Sequence, residues 1–134
     1  VKRLDHVALH VSDIDASIRF YTEVLGLPLM FKKEDPEHNE VFAYLAMEGG
    51  NLELLALLDR SGDPEPKTKP PIKKPYCPHV ALGVDDLDAA AAELEASNIP
   101  LIDGPLIIPG EVRWLYFADP DNNVIEYVQW LQAG

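Results

Sequence analysis

The chain repeats itself at a fixed offset, and the repeat constrains its fold more than any other feature. HVALHVSDIDA at 6–16 and HVALGVDDLDA at 79–89 align without a gap, 73 residues apart. At that offset His6 falls on His79, Asp13 on Asp86 and Glu53 on Glu126. Across residues 6–58 against 79–131, 11 of 53 positions are identical, and two of the four histidines are among them. The same offset lays VFAYL at 41–45 on WLYFA at 114–118, and NLELLAL at 51–57 on VIEYVQW at 124–130. Solenoid repeats run to roughly 20–50 residues, so a period of 73 residues reads instead as tandem duplication of one module. The expected organisation is a single pseudo-symmetric domain over 1–134, with module one at 1–58, a linker at 59–76 and module two at 77–134.

Local patterns give each module the order β-α-β-β-β. LDHVALHV alternates as a half-buried strand does, with His6, Ala8 and His10 on one face and Val7, Leu9 and Val11 on the other. Ser12 or Asp13 caps a helix carrying Ile14, Ile18, Tyr21 and Leu25 at helical spacing, and Gly26 ends it. LPLMF, VFAYLAM and NLELLALL read as strands, separated by the polar turn EDPEHNE and the tight turn EGG. In the second copy PHVALGV is a strand. Asp85 or Asp86 caps an alanine-rich helix ending near Asn98. IPLI is then a short strand, DGPLIIPGE a Pro/Gly loop, and VRWLYFAD and VIEYVQW the last two strands. The segment 59–76 holds five of the 12 prolines and four lysines and reads as the connection between modules. The fold class is α+β: two βαβββ modules forming a cupped, partly closed mixed sheet.

Charge and length narrow the function. A net charge of −12 repels nucleic acid and anionic membrane alike. No apolar run approaches the ~20 residues of a membrane span, and no signal peptide opens the sequence. One cysteine excludes an internal disulfide and suits a cytoplasmic protein. Eight strands of this kind leave edges to cover, so a homodimer is expected.

The chemistry sits in the repeated pair. Each module places a His on its first strand and a Glu on its last, 47 residues later. A twofold axis between modules would gather His6, Glu53, His79 and Glu126. Imidazole nitrogen with carboxylate oxygen suits one divalent Zn, Ni, Co, Mn or Fe ion per site. Two carboxylates neutralise its charge, and a six-coordinate ion would keep two positions for a substrate with neighbouring oxygens. A metal on a carbonyl oxygen acidifies the adjacent carbon, and Glu126 or Glu53 then stands where a catalytic base is needed. A lone strand His is more often a hydrogen-bonded core residue. A Glu inside an apolar strand is harder to explain that way, because burying it unpaired is costly.

These features together, LDHVALHVSDIDASIRFYTEVLGLPL, PHVALGVDDLDAA and YFADPDNNVIEYVQW, resemble the vicinal oxygen chelate superfamily over residues 3–131. That superfamily includes glyoxalase I, methylmalonyl-CoA epimerase, extradiol dioxygenases and bleomycin-resistance proteins. The resemblance implies metal ligands at His6, Glu53, His79 and Glu126. Glu at position 53 resembles bacterial glyoxalase I, whereas epimerases usually carry Gln there. It favours a metal-dependent lyase or isomerase acting on a small oxygenated substrate, a thiol adduct or a thioester. The alternatives are a CoA-thioester epimerase, for which ELL at 53–55 and LIDGP at 101–105 speak, an Fe(II) dioxygenase, and a non-catalytic binder. Bacterial glyoxalase I tends to carry an Arg four residues after the first ligand, and here that residue is His10. That departure counts against glutathione and leaves open a different thiol adduct, a coenzyme A thioester or another small oxygenated acid.

Outside the four ligands, His10, Arg113 and Trp114 are candidate substrate contacts. Tyr44, Trp114, Tyr116 and Trp130 are candidate walls of the site or core residues. Lys67, Lys69, Lys73 and Lys74 read as a solvated run, His38 as part of a surface turn, and Cys77 as a buried small residue.

Overall fold

The structure, a computed structural model, describes residues 1–131; the last three residues of module two lie outside them. The chain divides into two compact units, Val1–Pro70 and Pro71–Gly134. Each carries one four-stranded mixed sheet and one helical segment, so the fold is α+β with the βαβββ order twice.

In the first unit the strands are β1 (His6–His10), β2 (Leu29–Asp35), β3 (Glu40–Leu45) and β4 (Asn51–Leu57), in the sheet order β1-β4-β3-β2. β1 runs parallel to β4, and the other pairs are antiparallel. Burial alternates strictly along β3 and β4. Val41, Ala43, Leu45, Leu52, Leu54 and Ala56 turn to one face and are at most 4 % exposed. The helix α1 (Ile14–Arg19) packs on that face through Ile14 and Ser17. Each buried Leu there contributes roughly 1.5–3 kcal/mol. The opposite face carries His6, which is exposed, and Tyr44 and Glu53, which are part-buried.

The second unit repeats this with β5 (His79–Gly83), β6 (Asp103–Ile108), β7 (Val112–Ala118) and β8 (Val124–Trp130), in the order β5-β8-β7-β6. β5 is parallel to β8. The helix α2 (Leu87–Ala96) buries Leu87 and Leu94, two turns apart, against the face holding Leu115, Phe117 and Ile125.

The helix ends follow the sequence. Asp13 accepts a hydrogen bond from the Ala16 amide, and Asp86 accepts one from the Ala89 amide. Gly26 (φ 74°) and Asn98 (φ 60°) are left-handed terminators. The Ile99 amide donates to the Leu94 carbonyl and the Asn98 amide to the Glu95 carbonyl, which completes a Schellman cap.

Three local expectations change. The first helix is not one α-helix: after Arg19 it widens into a π-helical turn, Phe20–Val24. The Thr22 hydroxyl donates to the Ile18 carbonyl there and supports the wider ladder. Next, the strand expected at IPLI lies further on, in the stretch expected to be a Pro/Gly loop, as β6. Leu106, Ile107 and Ile108 pair there with Trp114, Arg113 and Val112, and a bulge between Asp103 and Leu106 absorbs Gly104 and Pro105. An edge strand tolerates a proline that has no amide to donate. Gly104 has φ 101°, and a Cβ there would come within 2.9 Å of Leu115 Cα and of the Trp114 carbonyl. Finally, the ungapped repeat slips by one residue on the third strand of each module. Tyr44 lies opposite Glu53, and Tyr116, not Phe117, lies opposite Glu126. Tyr116 stands ten residues before Glu126 and Tyr44 nine before Glu53, so VFAYL matches RWLYF at 113–117. A one-residue slip exchanges the two faces of a strand.

Candidate metal centre

The two Glu side chains lie on strand faces turned away from the helices, and each meets the His of its own unit. His6 on β1 comes beside Glu53 because β1 and β4 are parallel in a register that pairs Ala8 with Glu53. His6 Nε2 lies 3.3 Å from Glu53 Oε1. In the second unit the same register pairs Ala81 with Glu126, and His79 Nε2 lies 2.8 Å from Glu126 Oε1. Both glutamate side chains are only 14 % exposed.

The other ring nitrogen is held in each case by an oxygen that only accepts. His6 Nδ1 donates to the Asp5 carboxylate at 2.7 Å. His79 Nδ1 donates to the Tyr76 carbonyl at 3.1 Å. A neutral imidazole has a single N–H, so it cannot serve an acceptor at both nitrogens. Once Nδ1 holds the proton, Nε2 offers a lone pair to a carboxylate oxygen. That contact calls for a cation between the two donors, either a proton or a metal ion. An imidazole braced at one nitrogen by a carboxylate or carbonyl is the usual arrangement behind a metal-bound histidine. The donor set therefore fits a divalent ion. Each unit brings two candidate donors together, and among the described residues no group of three or more His, Cys, Asp or Glu side chains is gathered in ligating geometry.

Each pair has a tyrosine beside it. Tyr44 packs on His6 with ring centroids 5.3 Å apart, and Tyr116 packs on His79 at 5.4 Å. Burial pushes both phenols above their ordinary value, and the neighbouring Glu53 and Glu126 charges push them further. Both remain neutral donors at physiological pH. The ungapped alignment hid this equivalence, because it set Tyr44 against Phe117. Only the wider spacing from Tyr116 to Glu126, ten residues against nine, would have revealed it.

The remaining candidates fall on different sides of their sheets. His10 is exposed on the face of β1 that carries His6. Trp114 shares the face of Glu126 and Tyr116. Arg113 does not: it sits on the helix side of β7 and grips Asp88 through two hydrogen bonds of 2.8 and 3.2 Å. That pairing lowers the Asp88 carboxyl below its ordinary value, by hydrogen bonding first and then by charge, and occupies the guanidinium that was expected to meet substrate. Trp130 is 67 % exposed at the end of β8. His38 bonds Asp35 within its turn. Cys77 is exposed rather than buried, with Sγ 3.8 Å from His79 Nδ1. The end of the expected linker is also structural: the Tyr76 hydroxyl donates to Asp103 at 3.0 Å, and its ring packs on Tyr116.

Known proteins give this arrangement a family. The Glyoxalase/Bleomycin resistance protein/Dioxygenase superfamily matches residues 3–127. The chain belongs to this superfamily. It is 33 % identical over 132 residues to the uncharacterized protein YwbC of Bacillus subtilis, covering 96 % of this chain and 98 % of that one. It is 32 % identical over 126 residues to a lactoylglutathione lyase of Haemophilus influenzae, covering 92 % of this chain and 90 % of that one. Among solved structures it resembles the trypanothione-dependent glyoxalase I of Leishmania major, with a TM-score of 0.73, 26 % identity, and coverage of 96 % and 87 % of the two chains. Among the described residues no helix is long and apolar enough to cross a membrane.

Proposed function

We propose that this chain is a divalent-metal-dependent lyase or isomerase of the glyoxalase-I type, acting on the hemithioacetal of a small 2-oxoaldehyde. The carrying observation is the duplicated pair in which an imidazole braced at Nδ1 turns Nε2 to a carboxylate oxygen, a contact that calls for a cation between them. Relatives named lactoylglutathione lyase, at about the same level of identity, support the reaction class.

In this reading His6, Glu53, His79 and Glu126 together hold one Zn, Ni, Co, Mn or Fe ion. Each unit offers only two ligands, so modules 1–58 and 77–134, with the linker 59–76, function as a single domain. The pairs come from one chain or from two copies in a homodimer. When bound, the ion supplies Lewis-acid polarisation of the substrate's carbonyl oxygen. The Glu126 carboxylate, or Glu53 by the pseudo-symmetry, takes the proton from one of two neighbouring carbons and returns it to the other. His6 and His79, held at Nδ1, keep Nε2 directed at the ion. Tyr44 and Tyr116 fix the imidazole planes and exclude water beside them. His10 and Trp114 lie on the faces that substrate approaches. An exposed Cys77 thiol is at home in the reducing cytoplasm.

The test is metal analysis of the purified protein, then assay of the methylglyoxal–thiol adduct with each metal restored. Turnover that disappears with chelator and returns with one divalent metal is expected. Glu126→Gln should lower kcat by roughly 10²–10⁴-fold, as loss of a catalytic base does, with the protein still folded. Full activity in both Glu126→Gln and Glu53→Gln, or turnover indifferent to chelator, excludes this reading.

A further inference from the structure

Tyr76 bonds to both edges of the second unit's sheet. In the strand order β5-β8-β7-β6, β5 and β6 are the two edges. The Tyr76 carbonyl accepts from His79 Nδ1 on β5 at 3.1 Å, and the Tyr76 hydroxyl donates to Asp103 Oδ2 on β6 at 3.0 Å. Its ring packs on Tyr116 of β7, with centroids 4.8 Å apart. Tyr116 in turn stands opposite both Asp103 and Glu126 in the ladder and packs on the His79 ring. Tyr76, His79, Tyr116 and Asp103 thus close a circuit of contacts beside the His79–Glu126 pair. The backbone at Tyr76 lies in the left-handed region, with φ 63°. A bulky residue keeps that conformation only where its surroundings hold it, and such residues gather at functional sites. Here the amide donates to the Lys73 carbonyl at 2.9 Å, and the hydroxyl bond and ring contact fix the side chain.

We propose that Tyr76 is a positioning residue for His79: its side chain is anchored on Asp103 and Tyr116 so that its carbonyl fixes the tautomer of the imidazole. This rests on the metal-dependent reading above. The opposite tautomer shows what the carbonyl prevents. With its proton on Nε2, His79 would donate straight to Glu126 Oε1, 2.8 Å away, and the pair would satisfy itself with no lone pair turned to an ion. With the proton on Nδ1, the ring meets an oxygen that only accepts, and Nε2 keeps its lone pair. The other group beside Nδ1 is Cys77 Sγ at 3.8 Å, and sulfur is too weak an acceptor to replace the carbonyl. Releasing the Tyr76 side chain lets the backbone relax out of its left-handed turn and takes the carbonyl away from Nδ1.

The experiment measures zinc and nickel affinity of the full chain by competition with a chelator, and the His79 tautomer of the metal-free protein at alkaline pH by proton–nitrogen NMR of the imidazole. Tyr76→Phe removes only the hydroxyl bond, and Asp103→Ala removes it from the other end. Each should weaken metal binding by about tenfold, the lower end of what outer-shell partners contribute. The double variant should lose no more than either alone, because both break the same contact. Asp103→Asn, whose amide oxygen still accepts, should restore most of what Asp103→Ala loses. In Tyr76→Phe and Asp103→Ala the His79 signals should move from the Nδ1–H form toward the Nε2–H form, a change that lost packing alone does not produce. Affinities within about twofold of the wild type in both variants, or a tautomer unmoved in both, overturn the role of Tyr76 and leave the metal reading standing on the wild-type affinity. A wild type that binds neither ion overturns the metal reading and the proposal with it.

Discussion

At the scale of single residues the site depends on which nitrogen of each histidine is committed. Asp5 braces one candidate ligand imidazole with a side chain, and the carbonyl of Tyr76 braces the other. Asp5→Asn should weaken metal binding by about tenfold, the lower end of what outer-shell partners contribute, because Asp5 is 83 % exposed. Competition against a metallochromic chelator measures this, and unchanged affinity would mean that His6 needs no brace. The ligand candidates themselves were legible in the sequence, because a scarce residue type recurred at a fixed offset. What surrounds them was not. Asp5 and Tyr76 act through the nitrogen that a motif does not display, and Arg113 faces the helix because β7 is set one residue away from the ungapped repeat.

At the scale of elements, strand register and the small irregularities within strands set the site. The β7–β8 turn holds Asp119 buried, accepting amide hydrogen bonds from Asp121 and Asn123, so the extra residue between Tyr116 and Glu126 is built in. The β6 bulge depends on Gly104. Gly104→Ala meets a positive φ and backbone atoms at 2.9 Å, and should cost about 2–3 kcal/mol, measured by urea unfolding. A loss within a few tenths would show that β6 shifts freely. The pair Arg113–Asp88 joins β7 to α2. Hydrogen bonding and charge from Arg113 place the Asp88 carboxyl below its ordinary 3.8. A carboxyl depressed on folding stabilises above its unfolded value and loses that contribution as pH falls through the folded one. Arg113→Met should therefore lower the Tm at neutral pH, and its difference from the wild type should shrink as pH drops below about 3.8. A difference that persists in acid would assign the effect to packing by the guanidinium. Strands and caps were legible because alternation and Asp placement are local. The π turn and the position of β6 were not, since a π ladder keeps near-helical spacing and Gly-Pro ordinarily marks a loop.

At the scale of the whole molecule the duplication explains why a short chain repeats a costly pair of residues. In the proposed reading two donors alone would make a weak site, and four would hold an ion and still leave room for substrate. The central claim is that both pairs serve the same ion, and a calorimetric metal titration of the wild type, His6→Ala and His79→Ala tests it most directly. One ion per chain is predicted for the wild type, with either substitution weakening that single site by at least about 100-fold, as expected for loss of a ligand from a cooperative set. Two ions per chain, of which each substitution removes one and spares the other, would contradict it.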